Sequence, residues 1–133
     1  MKKKLVVATG IMVLIAAGVM ANARRDALLA GYAAEAGVSG FDIDAGRALL
    51  LGTFTGGKEA TPSCTTCHTN NPLAQGRTRG GKLIEPMAVS ANPERYTDPE
   101  KVEKWFRRNC NSVLGRECTA EEKGSFLAFM MVQ

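Results

Sequence analysis

The sequence predicts a small all-α protein. Apolar residues recur at helical spacing in four separate stretches, and two of these open with Thr-x-x-Glu capping boxes. No run alternates apolar and polar residues as a half-buried strand does. The third observation is the pentapeptide Cys64-Thr65-Thr66-Cys67-His68, which gives short helices something to wrap around.

Two thiols three positions apart, followed at once by an imidazole, are the attachment signature of a c-type haem. Each thiol bonds to one vinyl-derived carbon of the porphyrin, and the pair spans one helical turn. His68 then offers a ring nitrogen to the iron on the proximal side. A zinc half-site would want more ligands nearby, and His68 is the chain's sole histidine. A thioredoxin-like pair would sit among alternating strands and helices, a pattern not found here. The expected cofactor is one covalently attached haem c, held by Cys64, Cys67 and His68.

Residues 1–23 read as an export leader. Lys2, Lys3 and Lys4 precede an uncharged stretch from Leu5 to Met20, and Ala21-Asn22-Ala23 has the small-x-small cleavage pattern. As an uncleaved anchor the 16-residue stretch falls short of the ~20 that a spanning helix needs. Haem attachment to thiols takes place outside the cytoplasm, so the expected location is the periplasm, with no membrane association after cleavage. The remaining domain, residues 24–133, would have a modest polypeptide core, to which haem adds apolar faces. Without the three leader lysines, 14 basic residues face 13 acidic ones. That balance gives no sign of nucleic-acid binding.

Arg24 to Gly37 reads as a first helix, with Leu28, Leu29, Tyr32, Ala33 and Ala34 near helical spacing and Gly37 as a stop. Asp42 and Asp44 are candidate N-caps for a second helix through Leu51. A glycine-containing loop leads to Pro62-Ser63, which starts the short helix bearing the cysteines. From Thr69 to Tyr96 periodicity is weak, and the segment reads as a long loop ordered by the haem. Arg77, Arg79 and Lys82 within it are either propionate partners or solvated charge. Thr97-Asp98-Pro99-Glu100 opens a third helix with Val102, Trp105, Phe106 and Asn109 on one stripe, ending in a turn near Cys110. Thr119-Ala120-Glu121-Glu122 opens the last, with Phe126, Leu127, Phe129 and Met130.

The ligand opposite His68 decides between a plain electron carrier and a small-molecule binder. Bis-histidine ligation within one chain is excluded. Met130 and Met131 belong to a packed helix, where a core role fits. Met87, after Pro86 in the long loop, is a real contender, although methionine also serves as a gap-filler. Asn109 is the other, because an amide where an apolar residue belongs needs a strong partner. Its alternative role is a helix C-terminal cap. Asn111 is a third candidate. Cys110 and Cys118, eight apart across a short turn, form a disulfide in an oxidising compartment.

The stretches CTTCH, ERYTD and VEKWFRRNCNSVLGREC resemble the sphaeroides haem protein (SHP) family of monohaem cytochromes c, from about Gly31 to the C-terminus. The resemblance implies a periplasmic protein with a class I cytochrome c-like fold. It implies His68 as proximal ligand, Asn109 as the second ligand of the oxidised iron, and Cys110–Cys118 as the family disulfide. Family members release the asparagine on reduction and then bind oxygen, nitric oxide or carbon monoxide, with a dihaem cytochrome c as a typical redox partner.

Such a ligand also makes physical sense. An amide is a neutral, hard, weak donor that ferric iron holds better than ferrous iron, whereas a thioether grips the ferrous state. Trp105 and Phe106 are then candidates for the apolar wall of a diatomic pocket, a role compatible with ordinary core packing. The leading expectation is electron transfer with an iron site that opens on reduction. Reduction of nitric oxide, oxygen or hydroxylamine is an alternative, though no proton donor is evident. Gas binding without electron flow is another, as is an ordinary carrier ligated by Met87.

Overall fold

A computed structural model describes residues 2–133, with side chains described from Ala17 onward. Five helices and one minimal hairpin follow in chain order: α1 (Lys2–Ala36), α2 (Ile43–Leu51), α3 (Thr65–His68), β1 (Gly76–Arg77), β2 (Leu83–Ile84), α4 (Pro99–Val113) and α5 (Ala120–Met131). The first helix begins at Lys2 rather than Arg24, because the apolar leader-like stretch and the Arg24–Ala36 segment carry no residue that forces a break. Gly37, at φ +69, ends it as expected. Among the described residues no helix is long and apolar enough to cross a membrane.

Asp42 caps α2, its carboxylate accepting from Asp44 and Ala45 N–H at 2.8 and 3.2 Å. The expected box at α4 shifts by one residue. Asp98, not Thr97, is the N-cap and accepts from Lys101 N–H, while the Thr97 hydroxyl donates back to the Glu94 carbonyl. Pro99 explains the shift, since proline fits the first helical position, where its missing N–H costs nothing. The capping box of α5 forms as read, between Thr119 and Glu122.

The long 69–96 segment is not wholly without strands. Gly76 pairs with Ile84 and Arg77 with Leu83 in an antiparallel ladder. Two-residue strands are too short to show alternation, so the sequence pattern could not reveal them.

The core lies where α1, α2 and α4 meet α5. Tyr32 stacks edge-on against Phe106, which stacks edge-on against Phe126. Leu50, Leu127 and Met130 are completely buried. Gly46 permits the α2–α5 crossing, because a Cβ there would collide with the Ser125 carbonyl. Met130 thus has the core role.

Candidate haem attachment site

The segment carrying the thiols is a single turn. His68 N–H donates to the Cys64 carbonyl at 3.0 Å, and the Ser63 hydroxyl accepts from Thr65 N–H. Thr69, at φ 63, turns the chain away directly after the imidazole. Cys64 and Cys67 are free and half-buried, on the same turn. Burial pushes the Cys64 thiol up to about 11.

Burial lowers His68 to about 4, aided by the Arg95 charge, so the imidazole is neutral and keeps a lone pair available. Its Nδ1 is buried without a hydrogen-bond partner. Among the described residues no group of three or more His, Cys, Asp or Glu gathers as a metal cage. Two free thiols on one turn and a neutral, under-satisfied imidazole fit a covalently attached haem, and the donor set does not fit zinc.

Two features hold this turn in place. β1 lies against it, since a Cβ on Gly76 would collide with the Cys67 carbonyl. The preceding loop is tied to α4: Lys58 N–H donates to the Ser112 carbonyl at 2.7 Å, and the Thr61 hydroxyl meets both the carbonyl and the hydroxyl of Ser112. Thr61 is three residues before Cys64, and Ser112 three after Asn109. The thiols and the asparagine end of α4 are therefore brought into one region.

Helix α4 corrects the expected stripe. Val102, Phe106, Cys110 and Val113 are its buried face. Trp105, 43% exposed, and Asn109, also exposed, lie along the edge of that face. The period of the buried face is i, i+4, i+8, i+11, so i+3 and i+7 fall to its side. Phe106 packs in the core with Tyr32 and Phe126, and Trp105 lies under the Arg108 guanidinium. The helix also continues to Val113, so Asn109 is within the helix and is not a C-terminal cap. Asn111 donates its amide to the Arg107 carbonyl at 2.7 Å. Met87 is 6% exposed within the core, its carbonyl accepting from the Tyr96 hydroxyl.

Cys110 and Cys118 are bonded as a disulfide, joining α4 to the turn before α5. Arg77 donates to the Gly81 carbonyl at 2.6 Å, and Arg79 and Lys82 are exposed. Sequence reasoning missed Arg25 and Arg95. Buried Arg25 donates to the carbonyls of Pro93 and Arg95, and Arg95 in turn donates to those of Glu85 and Pro86. These contacts order the segment around Met87, and no local pattern announces them. Two shallow depressions of about 390 and 370 Å³ lie along α1 and α4 and include none of the site residues.

Residues 36–130 match a family described as a domain of unknown function, DUF1924. The cytochrome c-type protein SHP of Cereibacter sphaeroides is 56% identical over 106 residues, covering 80% of this chain and 81% of that protein. Cytochrome c'' of Methylophilus methylotrophus is 44% identical over 78 residues, 58% of this chain and 53% of its own. Oxidised SHP, described as an oxygen-binding cytochrome c, superposes with a TM-score of 0.79 at 54% identity, over 82% of this chain and 96% of that one. Oxidised cytochrome c'' superposes at 0.68 with 33% identity, over 84% and 95%. The chain belongs to the SHP family of monohaem c-type cytochromes, with their class I cytochrome c-like helical fold and covalently bound haem c.

Proposed function

We propose that this cytochrome transfers electrons in the periplasm and that its sixth ligand, the Asn109 amide, is released on reduction. Residues 1–23 are the export leader in this reading. Cys64 and Cys67 hold the haem by thioether bonds, His68 is the proximal ligand, and the Cys110–Cys118 disulfide fixes the backbone next to Asn109. Haem would supply one-electron exchange and a place for a small molecule to bind.

The chain's own residues do the rest. Asn109, a weak neutral donor, favours the more highly charged ferric state and lets go when that charge falls. Released, the amide stays nearby on α4 as a hydrogen-bond donor, with Trp105 beside it as apolar wall. The reduced protein then takes up oxygen, nitric oxide or carbon monoxide. Its electron partner is another cytochrome, of the dihaem c type.

One observation carries this reading. Trp105 and Asn109 share the exposed edge of α4, one turn before the Ser112 anchor of the cysteine-bearing loop. The Asn109 amide is exposed, whereas Asn111 is engaged by its own helix and Met87 is packed in the core. The similarity to an oxygen-binding cytochrome c supports the gas-binding half.

Absorption spectroscopy of variants tests it. Asn109→Ala should move the ferric spectrum toward high spin, while Met87→Leu should leave the ligation unchanged. Carbon monoxide should shift the Soret band of the reduced parent promptly. Loss of a sulfur-to-iron band in Met87→Leu would make the protein an ordinary carrier instead.

A further inference from the structure

We infer that the β1–β2 hairpin is the docking surface for an electron-transfer protein that presents a carboxylate-rich patch, an assignment that rests on the electron-transfer reading above. Residues 76–84 carry Arg77, Arg79 and Lys82, all exposed, and no acidic residue. Among the described residues the ion pairs are Arg107–Glu117, Arg116–Glu122 and Lys123–Glu103, all on the α4–α5 side of the chain. The nearest acidic residue in sequence, Glu85, accepts from the Gln75 amide and pairs with none of the three cations. Charges that nearly cancel over residues 24–133 are therefore segregated, and the hairpin is a locally positive region. Local fields of this kind steer encounter with an oppositely charged partner.

The backbone that carries the cations is ordered. Thr78 N–H donates to the Lys82 carbonyl, Lys82 N–H donates to the Thr78 hydroxyl, and Gly81 takes the left-handed turn at φ +87. The Arg77 guanidinium is spent on the Gly81 carbonyl, which directs it along the hairpin. The base of the same hairpin touches the cysteine-bearing turn at Gly76 and Cys67. Arg79 lies three residues further, in the turn of the hairpin, within ~10 Å of chain length. A partner seated on these charges is thus brought next to the haem attachment site.

Stopped-flow oxidation of the reduced holoprotein tests this with two reagents of opposite charge, hexacyanoferrate(III) and tris(phenanthroline)cobalt(III). In each case one electron leaves the reduced protein, which becomes ferric, and the reagent becomes hexacyanoferrate(II) or the cobalt(II) complex. Relative to the parent, the double variant Arg79→Glu/Lys82→Glu should react ~10-fold more slowly with the anionic reagent at low ionic strength and faster with the cationic one. Both differences should shrink in high salt. Unchanged rates with both reagents would overturn the assignment. Rates moving in the same direction with both would also overturn it, since the cations would then be setting the driving force, as propionate partners do. Failure of the parent to react with either reagent would instead sink the electron-transfer reading.

Discussion

Thr61 and Ser112, 51 positions apart, are joined twice: the Thr61 hydroxyl donates to the Ser112 carbonyl at 3.1 Å and lies 2.8 Å from the Ser112 hydroxyl. One of these residues leads into the cysteine-bearing turn and the other follows Asn109 by one helical turn. Thr61→Val keeps the shape and removes both contacts, while Lys58 N–H still satisfies the Ser112 carbonyl. We expect a loss of about 1 kcal/mol in urea unfolding, together with a perturbed ferric spectrum. A parent-like midpoint and spectrum would show that the tie does not set the site.

Gly76 has a sharper test. Adding a methyl group there drives it into the Cys67 carbonyl, so Gly76→Ala should cost about 1–3 kcal/mol and displace the turn that carries the thiols. Gly80→Ala in the same hairpin is the control, because its Cβ would meet only the Thr78 hydroxyl at 3.9 Å. Its effect should stay within about 0.5 kcal/mol. Equal melting temperatures for the two variants would contradict the close approach.

The Cys110–Cys118 bond closes a loop of sequence separation 8. Loop-closure entropy assigns it about 2.5 kcal/mol, so replacing both cysteines by serine should lower the unfolding free energy by roughly that amount. Thiol labelling of the denatured holoprotein should find no free cysteine if Cys64 and Cys67 hold the haem as proposed. Two labelled thiols would remove the clamp beside Asn109.

Acid stability should depend on Glu103. Partial burial opposes its ionisation, but hydrogen bonds from Lys123 and Tyr32 and the nearby positive charges outweigh it and hold the carboxyl below its ordinary range. A carboxyl lowered in the folded state contributes stability above its unfolded value, ~4.3, and loses it as pH falls through the lower folded value. The side chain is 38% exposed, so the contribution is screened and small. Glu103→Gln should be less stable than the parent near neutrality and should converge on it in acid. A constant gap across the range would contradict the linkage. Tyr32→Phe removes one donor and should cost about 1 kcal/mol at neutral pH.

What could be read from the sequence was local. Capping residues, the CTTCH run and the apolar spacing of α2 and α5 act within a few positions, and those helices stand where the pattern puts them. The edge of α4 is not legible in the sequence, because i+3 and i+7 neighbours of a buried residue can face the core or flank it, and only the packing of Phe106 between Tyr32 and Phe126 decides which. Thr61–Ser112 and Arg25–Arg95 are pairings across 51 and 70 positions, which no window on the sequence contains. The 76–84 hairpin was hidden by its brevity.

Arg25, only 3% exposed, donates to the carbonyls of Pro93 and Arg95 and also to the Asn22 side-chain oxygen at 2.7 Å. A leader removed after Ala23 gives up the Asn22 end of that clasp and keeps the rest. Trimming two residues further would delete the guanidinium itself and untether residues 93–95. If the leader is removed as proposed, the cut must therefore fall ahead of Arg25 for the 93–95 stretch to keep its tether.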